Sequence, residues 1–210
     1  MNFNFLKLCL LGLFFLLIQS CGSKEDGNTL ENNSEPTLFT LLRPEETGIS
    51  FINKVANSKE FNIFKYRNFY NGGGVAIGDI NNDGLSDVFF TGNMEPNKLF
   101  LNKGDLKFED ISEKAGVKGN KPWSTGVVMA DINNDGYLDI YVSNAGNMEG
   151  NNHDNDLYIN NGDGTFTEKA HEYNLAETGF STHASFFDYD KDGDLDAYIL
   201  NNSNIPVSSL

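Results

Sequence analysis

Three nine-residue segments of the chain carry the same pattern of oxygen-bearing side chains. They span residues 79–87, 131–139 and 188–196 and read DINNDGLSD, DINNDGYLD and DYDKDGDLD; we call them the first, second and third acidic loops. Two bare carboxylates about 4 Å apart repel each other by roughly 4 kcal/mol at an effective dielectric near 20. The pattern therefore predicts a cation among the carboxylates of each loop.

The positions within each loop predict how a cation would be bound. Positions 1, 3, 5 and 9 carry carboxylates or amides, and the backbone carbonyl of position 7 would complete the shell. Only oxygen ligands are offered, which favours a hard cation, and Ca²⁺ accepts six to eight oxygens in irregular geometry. The glycine at position 6 allows the positive φ with which the chain turns around the ion. The predicted ligands are Asp79, Asn81, Asp83, Leu85 and Asp87 in the first loop, Asp131, Asn133, Asp135, Tyr137 and Asp139 in the second, and Asp188, Asp190, Asp192, Asp194 and Asp196 in the third.

The loop pattern allows two other interpretations. An EF-hand needs a bidentate Glu at position 12 and a helix on each side. Position 12 holds Phe90, Val142 or Ile199, and the flanking segments are β-like, so the EF-hand is rejected. The remaining alternative is a turn rich in Asp and Asn that binds no ion.

The segments around the acidic loops repeat as well. The loops start 52 and 57 residues apart, and the longer second unit has its extra residues within 144–156, which predicts a loop insertion. A period of this size is typical of solenoids, propellers and arrays. Short Val- and Ile-rich runs, followed by a hairpin signal and an alternating segment, predict four antiparallel strands per unit, with the acidic loop between the first two strands. One four-stranded unit per repeat is a propeller blade.

The predicted fold is therefore all-β, an incomplete β-propeller of about two and a half four-stranded antiparallel blades. Repeat 1 is predicted at 71–122, repeat 2 at 123–179 and the first half of repeat 3 at 180–210. Residues 37–70 are expected to supply a strand that completes or flanks a blade. Because so few blades cannot close a ring, we expect the N-terminal part of a longer protein or a truncated reading frame.

The N-terminus predicts export. Residues 1–20 contain Lys7 followed by an apolar run too short to span a bilayer, as in a signal peptide. The sequence IQSC, ending at Cys21, resembles a bacterial lipobox in which the cysteine is lipidated, although Gln19 departs from the usual small residue. An ordinary secretory signal is the alternative. Residues 21–36 are polar and predicted to be a flexible tether, and cleavage before Cys21 leaves no partner for a disulfide.

Charge and the remaining side chains exclude several functions. A formal net charge of −15 makes the chain a poor nucleic-acid binder. His153, His171 and His183 show no metal-ligand spacing, and His183 is predicted on an inner strand with a structural role. Ser181, His183 and Asp188 lack the glycines of a nucleophile elbow, so no catalytic residue is predicted. Trp123 and Phe180, and the aromatic residues of 65–70, are predicted to pack between blades.

The stretch GVAIGDINNDGLSDVFF, followed by NKLFLNKGDLKFEDIS, resembles the FG-GAP/VCBS repeat family, the calcium-loop propellers related to integrin α-subunit heads. YRNFYNGGGVAIGDINNDG and STHASFFDYDKDGDLDAYILNNS are particularly similar to large exported Bacteroidetes proteins of this family, which often carry a downstream ASPIC/UnbV domain. The resemblance covers the chain from about Phe51 onwards and implies a propeller of about seven blades.

The expected function is a calcium-stabilised, non-enzymatic binding or adhesion module. We expect it on a lipid-anchored outer-membrane protein that faces outward and binds an extracellular protein or a glycan, with the lipid as its contact with the membrane. The alternative is the scaffold of an enzyme acting on polysaccharide or another polymer, with its catalytic residues in further blades.

Overall fold

The computed structural model describes residues 38–146 and 152–202. The signal peptide, the whole tether with Cys21, part of the insertion and the end of repeat 3 lie outside the described residues. All strands belong to a compact unit that begins at Leu42, and residues 38–41 fall outside this unit. Within the two described ranges, no helix is both long and apolar enough to cross a membrane.

The strands form three antiparallel sheets of four, four and two strands, each in chain order. The prediction of an all-β, incomplete propeller is thereby confirmed. The first blade comprises β1 (Val75–Gly78), β2 (Asp87–Phe90), β3 (Lys98–Asn102) and β4 (Phe108–Asp110). The second comprises β5 (Ser124–Ala130), β6 (Asp139–Asn144), β7 (Asp156–Asn160) and β8 (Phe166–Glu168), and the third comprises β9 (Phe180–Phe187) and β10 (Asp196–Asn202). The described residues also form two short helices, α1 (Pro44–Thr47) and α2 (Ser112–Ala115).

Each acidic loop joins the first two strands of its blade in the same register. Gly78 pairs with Asp87, Ala130 with Asp139, and Phe187 with Asp196. The residue before position 1 is therefore always opposite position 9. This common closure brings the two ends of each loop together whatever lies between them.

Apolar side chains on alternate strand positions form the contacts between blades, because successive residues of a strand point to opposite faces of the sheet. One core cluster joins the first blade, through residues such as Phe89 and Leu99, to Ile140 and Val142 of the second. Another joins the opposite face of the second blade, through Tyr141 and Leu157, to Ala184 of the third.

The first strands of neighbouring blades approach each other closely at a glycine. A Cβ on Gly126 would lie 2.4 Å from the carbonyl oxygen of Thr182, and one on Gly74 would lie 2.7 Å from that of Thr125. Side chains at these positions would push the blades apart. His183 occupies the equivalent position of β9, the first strand of its sheet as predicted, and is exposed.

The N-terminal segment packs differently from the prediction. Residues 38–74 contain α1 and turns but no strand, so neither 37–70 nor the aromatic stretch 65–70 supplies a strand in the described residues. Phe61, Tyr66 and Phe69 instead pack in the cluster that holds Trp123. The ring centroids of Phe61 and Trp123 lie 5.0 Å apart. The predicted packing of Trp123 and Phe180 is confirmed, because both belong to this cluster with Tyr66.

Candidate metal centres

Two residues of each acidic loop adopt the left-handed conformation that turns the chain back on itself. Position 6 has a φ of +85° at Gly84, +92° at Gly136 and +97° at Gly193, which confirms the predicted use of glycine. Position 4 also has positive φ, at 58° in Asn82 and 57° in Asn134. Lys191 does the same in the third loop with a φ of 64°.

In the first loop the side chains of positions 1, 3 and 5 converge on the turn. The Asp79 carboxylate accepts hydrogen bonds from the backbone N–H groups of Asp83 (3.1 Å) and Gly84 (2.7 Å). Asn81 Nδ2 donates to Asp83 Oδ2 (2.9 Å), and the N–H of Leu85 donates to Asp83 Oδ1 (2.9 Å). The three oxygen-bearing side chains are therefore drawn together inside a loop of nine residues.

The second loop repeats this network bond for bond. Asp131 accepts from the N–H groups of Asp135 (2.9 Å) and Gly136 (2.9 Å). Asn133 Nδ2 donates to Asp135 Oδ2 (2.8 Å), and the N–H of Tyr137 donates to Asp135 Oδ1 (2.9 Å). Identical side-chain types at identical spacing thus produce identical loop geometry in two blades.

Position 9 of the first loop, Asp87, is a fully buried carboxylate held on two sides. It accepts from the N–H of Ile80 (3.0 Å) within the loop and from the N–H of Asn102 (2.7 Å) on β3. Burial raises the pKa of Asp87, the nearby charges of Asp83 and Asp79 raise it further, and the two backbone hydrogen bonds lower it. A cation in the loop would offset the cost of keeping this carboxylate ionised.

Asp139 repeats this arrangement in the second blade. It is fully buried and accepts from the N–H groups of Ile132 (2.9 Å) and Asn160 (2.9 Å). Burial raises its pKa against those two hydrogen bonds, and the charge of Asp135 adds to the effect.

The third loop brings three carboxylates closest together. One oxygen from each of Asp188, Asp190 and Asp196 can be chosen so that all three lie within 4.8 Å of one another. Backbone hydrogen bonding from Asp194 lowers the pKa of Asp192, whereas the side-chain hydrogen bond to Asp192 raises that of Asp194. This loop is more exposed than the other two.

The donor set of the three loops fits calcium. Each carboxylate oxygen can accept a backbone hydrogen bond with one lone pair and bind a cation with the other. The side chains of positions 1, 3 and 5 hydrogen-bond around each turn, and position 9 closes its base. Leu85, Tyr137 and Asp194 donate their N–H groups to position 5; that their carbonyls bind the ion stays a prediction.

Two features of the loops were missed by the sequence analysis. Asn82 Nδ2 donates to the carbonyl of Gly136 (3.0 Å), which links the first and second loops directly. Asn160 Nδ2 donates to the carbonyl of Ile80 (2.8 Å), again across the blade junction. Asn tolerates the left-handed region, so the Asn at position 4 could have predicted the positive φ there. The repetition of Asn at 102 and 160 could have pointed to a hydrogen-bonding role for these two side chains.

The other candidate residues take structural roles. Ser181 is fully buried, donates to Asn201 Oδ1 (2.7 Å) and accepts from Asn155 Nδ2 (2.9 Å). His153 is buried and its Nδ1 lies 2.6 Å from the carbonyl oxygen of Ala145. His171 lies 3.3 Å from Asp154 at the surface.

Comparison with known proteins agrees with the fold. The FG-GAP-like repeat family matches residues 55–142 and 145–199. The chain is 42% identical over 121 residues to cartilage acidic protein 1 of Homo sapiens, which covers 56% of this chain and 18% of that protein. It is 45% identical over 78 residues to cartilage acidic protein 1 of Xenopus tropicalis, covering 37% of this chain and 12% of the relative. The chain thus spans less than a fifth of either relative, and these matches lend no support to the bacterial lipoprotein and ASPIC/UnbV context, which stays a prediction.

Proposed function

Because the chain belongs to the FG-GAP-like repeat family, we propose that it is a non-enzymatic binding or adhesion module whose blades are stabilised by calcium. The observation that carries this proposal is the repetition of one carboxylate network in the first two acidic loops, each closed by a fully buried Asp. Backbone N–H groups hold these carboxylates in one geometry although they repel each other. A cation bound among them would offset that repulsion.

Calcium in this role would be structural. Each ion would neutralise the carboxylates that join the first two strands of a blade, and through Asn82 and Asn160 it would also stabilise the next blade junction. Extracellular calcium modules bind with Kd near 10⁻⁴ to 10⁻³ M. At free calcium about ten times Kd, each site would add about 1.4 kcal/mol to the free energy of unfolding.

Thermal unfolding with and without calcium tests this proposal. We expect the chelator EGTA to lower Tm by many degrees, excess Ca²⁺ to restore it, and Mg²⁺ at the same concentration to restore less, because Mg²⁺ demands octahedral geometry and keeps its waters. A Tm that is unchanged by EGTA would refute calcium stabilisation.

Export as a surface lipoprotein is the second part of the proposal. It is supported by the sequence of residues 1–21, in which an apolar run precedes Cys21. Expression of wild type and Cys21→Ser in a Gram-negative host, followed by membrane fractionation, tests it. Wild type in the soluble periplasmic fraction would contradict lipid anchoring and leave an ordinary secretory signal.

A further inference from the structure

A cavity of about 450 Å³ lies beside the first and second blades, away from the acidic loops. Its walls are the connection between β2 and β3, the connection between α2 and β5, and Phe61 of the N-terminal segment. Ligand cavities commonly measure about 300–1,000 Å³ and combine apolar walls with a few polar groups. This cavity has both, since it is lined by the aromatic residues Phe61 and Trp123 and by the polar residues Asn97, Lys118 and Lys121.

Asn97 contributes an unsatisfied hydrogen-bond donor to this cavity. Its side chain is 1% exposed, and its Oδ1 accepts from the N–H of Gly92 (3.0 Å), which fixes the orientation of the amide. Its Nδ2 is buried and has no hydrogen-bond partner among the described residues. Leaving such a donor unpaired costs about 1–3 kcal/mol.

The second blade shows one hydrogen-bond acceptor that the Asn97 amide lacks. Asn155 is its structural equivalent, because its Oδ1 likewise accepts a backbone N–H, from Asn144 at 2.7 Å. Asn155 Nδ2 donates to the hydroxyl of Tyr141 (2.9 Å) and to Ser181 Oγ (2.9 Å). The residue at the position of Tyr141 in the first blade is Phe89, which has no hydroxyl.

Gly119 leaves room for an acceptor beside that amide. A Cβ at this position would lie 2.9 Å from Asn97 Nδ2, and Gly119 lines the cavity with a φ of +71°. The absence of a side chain here leaves open the space from which a ligand oxygen could reach the donor.

The charges around the cavity favour an anionic ligand. Lys118 and Lys121 line it with a single carboxylate, Glu95, in a chain whose net charge is −15. Lys121 is held only loosely, 3.5 Å from Asp154, and Lys118 pairs with Glu113 at the surface. Neither of these partners belongs to the cavity wall.

We propose that this cavity binds a carboxylate-bearing sugar ring of the size of a hexuronic acid. The carboxylate accepts a hydrogen bond from Asn97 Nδ2 and is drawn in by Lys118 and Lys121, while the ring lies against Phe61, with Trp123 buried beside it. A compact ring suits a cavity of about 450 Å³ better than an extended peptide does. This ligand class belongs to the binding module proposed above, and the assignment rests on that proposed function.

Titration of the calcium-saturated full chain with D-glucuronate tests the proposal. Trp123 is the single tryptophan of the chain and lines the cavity, so its fluorescence reports binding directly. We expect a saturable change with D-glucuronate and an affinity at least about tenfold weaker for D-glucose, which lacks the carboxylate. No saturable change, equal affinity for glucose, or tighter binding of a short Glu peptide would overturn the assignment.

A matched pair of variants and one further variant locate the ligand. Phe89→Tyr supplies the hydroxyl that the second blade already has, and it should weaken glucuronate binding about tenfold. Tyr141→Phe removes the equivalent hydroxyl of the second blade, away from the cavity, and should leave the affinity unchanged.

Lys121→Gln leaves the buried packing intact. It should weaken glucuronate binding while binding of glucose stays the same. Unchanged affinity in both Phe89→Tyr and Lys121→Gln would refute the site. The effect of EGTA on Tm is measured on the same samples, so that failure of calcium stabilisation and failure of sugar binding are separate results.

Discussion

Asn160 joins the second acidic loop to the first blade. Its side-chain Nδ2 lies 2.8 Å from the carbonyl oxygen of Ile80, the second residue of the first acidic loop, and 3.1 Å from that of Leu138. Its backbone N–H donates to the buried carboxylate of Asp139 at 2.9 Å. One residue therefore connects position 9 of one loop with position 2 of the preceding loop, so that order in one loop supports order in the other.

Asn160→Ala should lower the free energy of unfolding by about 2 kcal/mol, because two carbonyl groups lose a buried donor. Asn102→Ala is the matched control. Asn102 Nδ2 reaches Ser86 within its own blade (2.8 Å) and makes no bond across the junction among the described residues, so its loss should cost about half as much. Urea denaturation measures both values, and equal costs would show that the Ile80 bond contributes nothing.

Removal of the position 5 carboxylate should abolish one calcium site at a time. Asp83→Ala, Asp135→Ala and Asp192→Ala should each reduce the stoichiometry measured by isothermal titration calorimetry by one ion. The third loop has a carboxylate at each of positions 1, 3, 5 and 9, so Asp192→Ala should remove the tightest site. Asp163→Ala is the control, because Asp163 caps a hairpin turn through Thr165 (2.9 Å) outside the loops. A stoichiometry unchanged in all three loop variants would contradict the ligand assignment.

Asp156 should make stability depend on pH. It occupies the position of Lys98, which forms an ion pair with Asp110 (2.7 Å) in the first blade. Burial raises the pKa of Asp156 from 3.8 to about 6, against the hydrogen bond from Asn144, and the charge of Glu168 adds to the rise. The folded state therefore binds this proton more tightly than the unfolded state does. The resulting stability is present below about pH 4 and is lost as pH rises through about 6.

Asp156→Asn removes this titration while keeping an acceptor for Asn144. The Tm of the variant minus that of wild type should grow as pH rises from about 4 to about 7, by the equivalent of roughly 3 kcal/mol. Asp163→Asn should show the opposite trend, and only below about pH 4, because hydrogen bonds from Thr165 lower the pKa of Asp163 from 3.8. Its contribution is present above the unfolded pKa and is lost as pH falls. A pH-independent difference for Asp156→Asn would refute the proposed titration.

Gly126→Ala should destabilise the protein by about 2 kcal/mol, because the added methyl group meets backbone atoms of β9 that cannot move without separating the blades. Gly78→Ala provides the comparison. Its Cβ would meet the ends of the Leu138 and Met129 side chains, which can rotate away, so a cost under about 1 kcal/mol is expected. Thermal melts of both variants measure the difference, and similar losses would show that the close strand approach is unimportant.

The sequence by itself determined the repeat, the four-strand unit and the conformation of the acidic loops, because these depend on residues close together in the chain. The left-handed conformation of Gly84 and Gly136 follows from the position of each glycine within its loop. Phe89 and Asn97 are also close in sequence. That the Asn97 amide lacks a hydroxyl acceptor became evident only by comparison with the second blade, in which Asn155 donates to the hydroxyl of Tyr141.

Only the tertiary structure decided which groups meet across the blades. Asn160 reaches Ile80 across 80 residues of chain, and Trp123 packs against Phe61 from a segment that was expected to form a strand. Such contacts depend on how far each blade rotates and slides on the next. That geometry is set by the combined volume of many buried side chains, which no short stretch of sequence encodes.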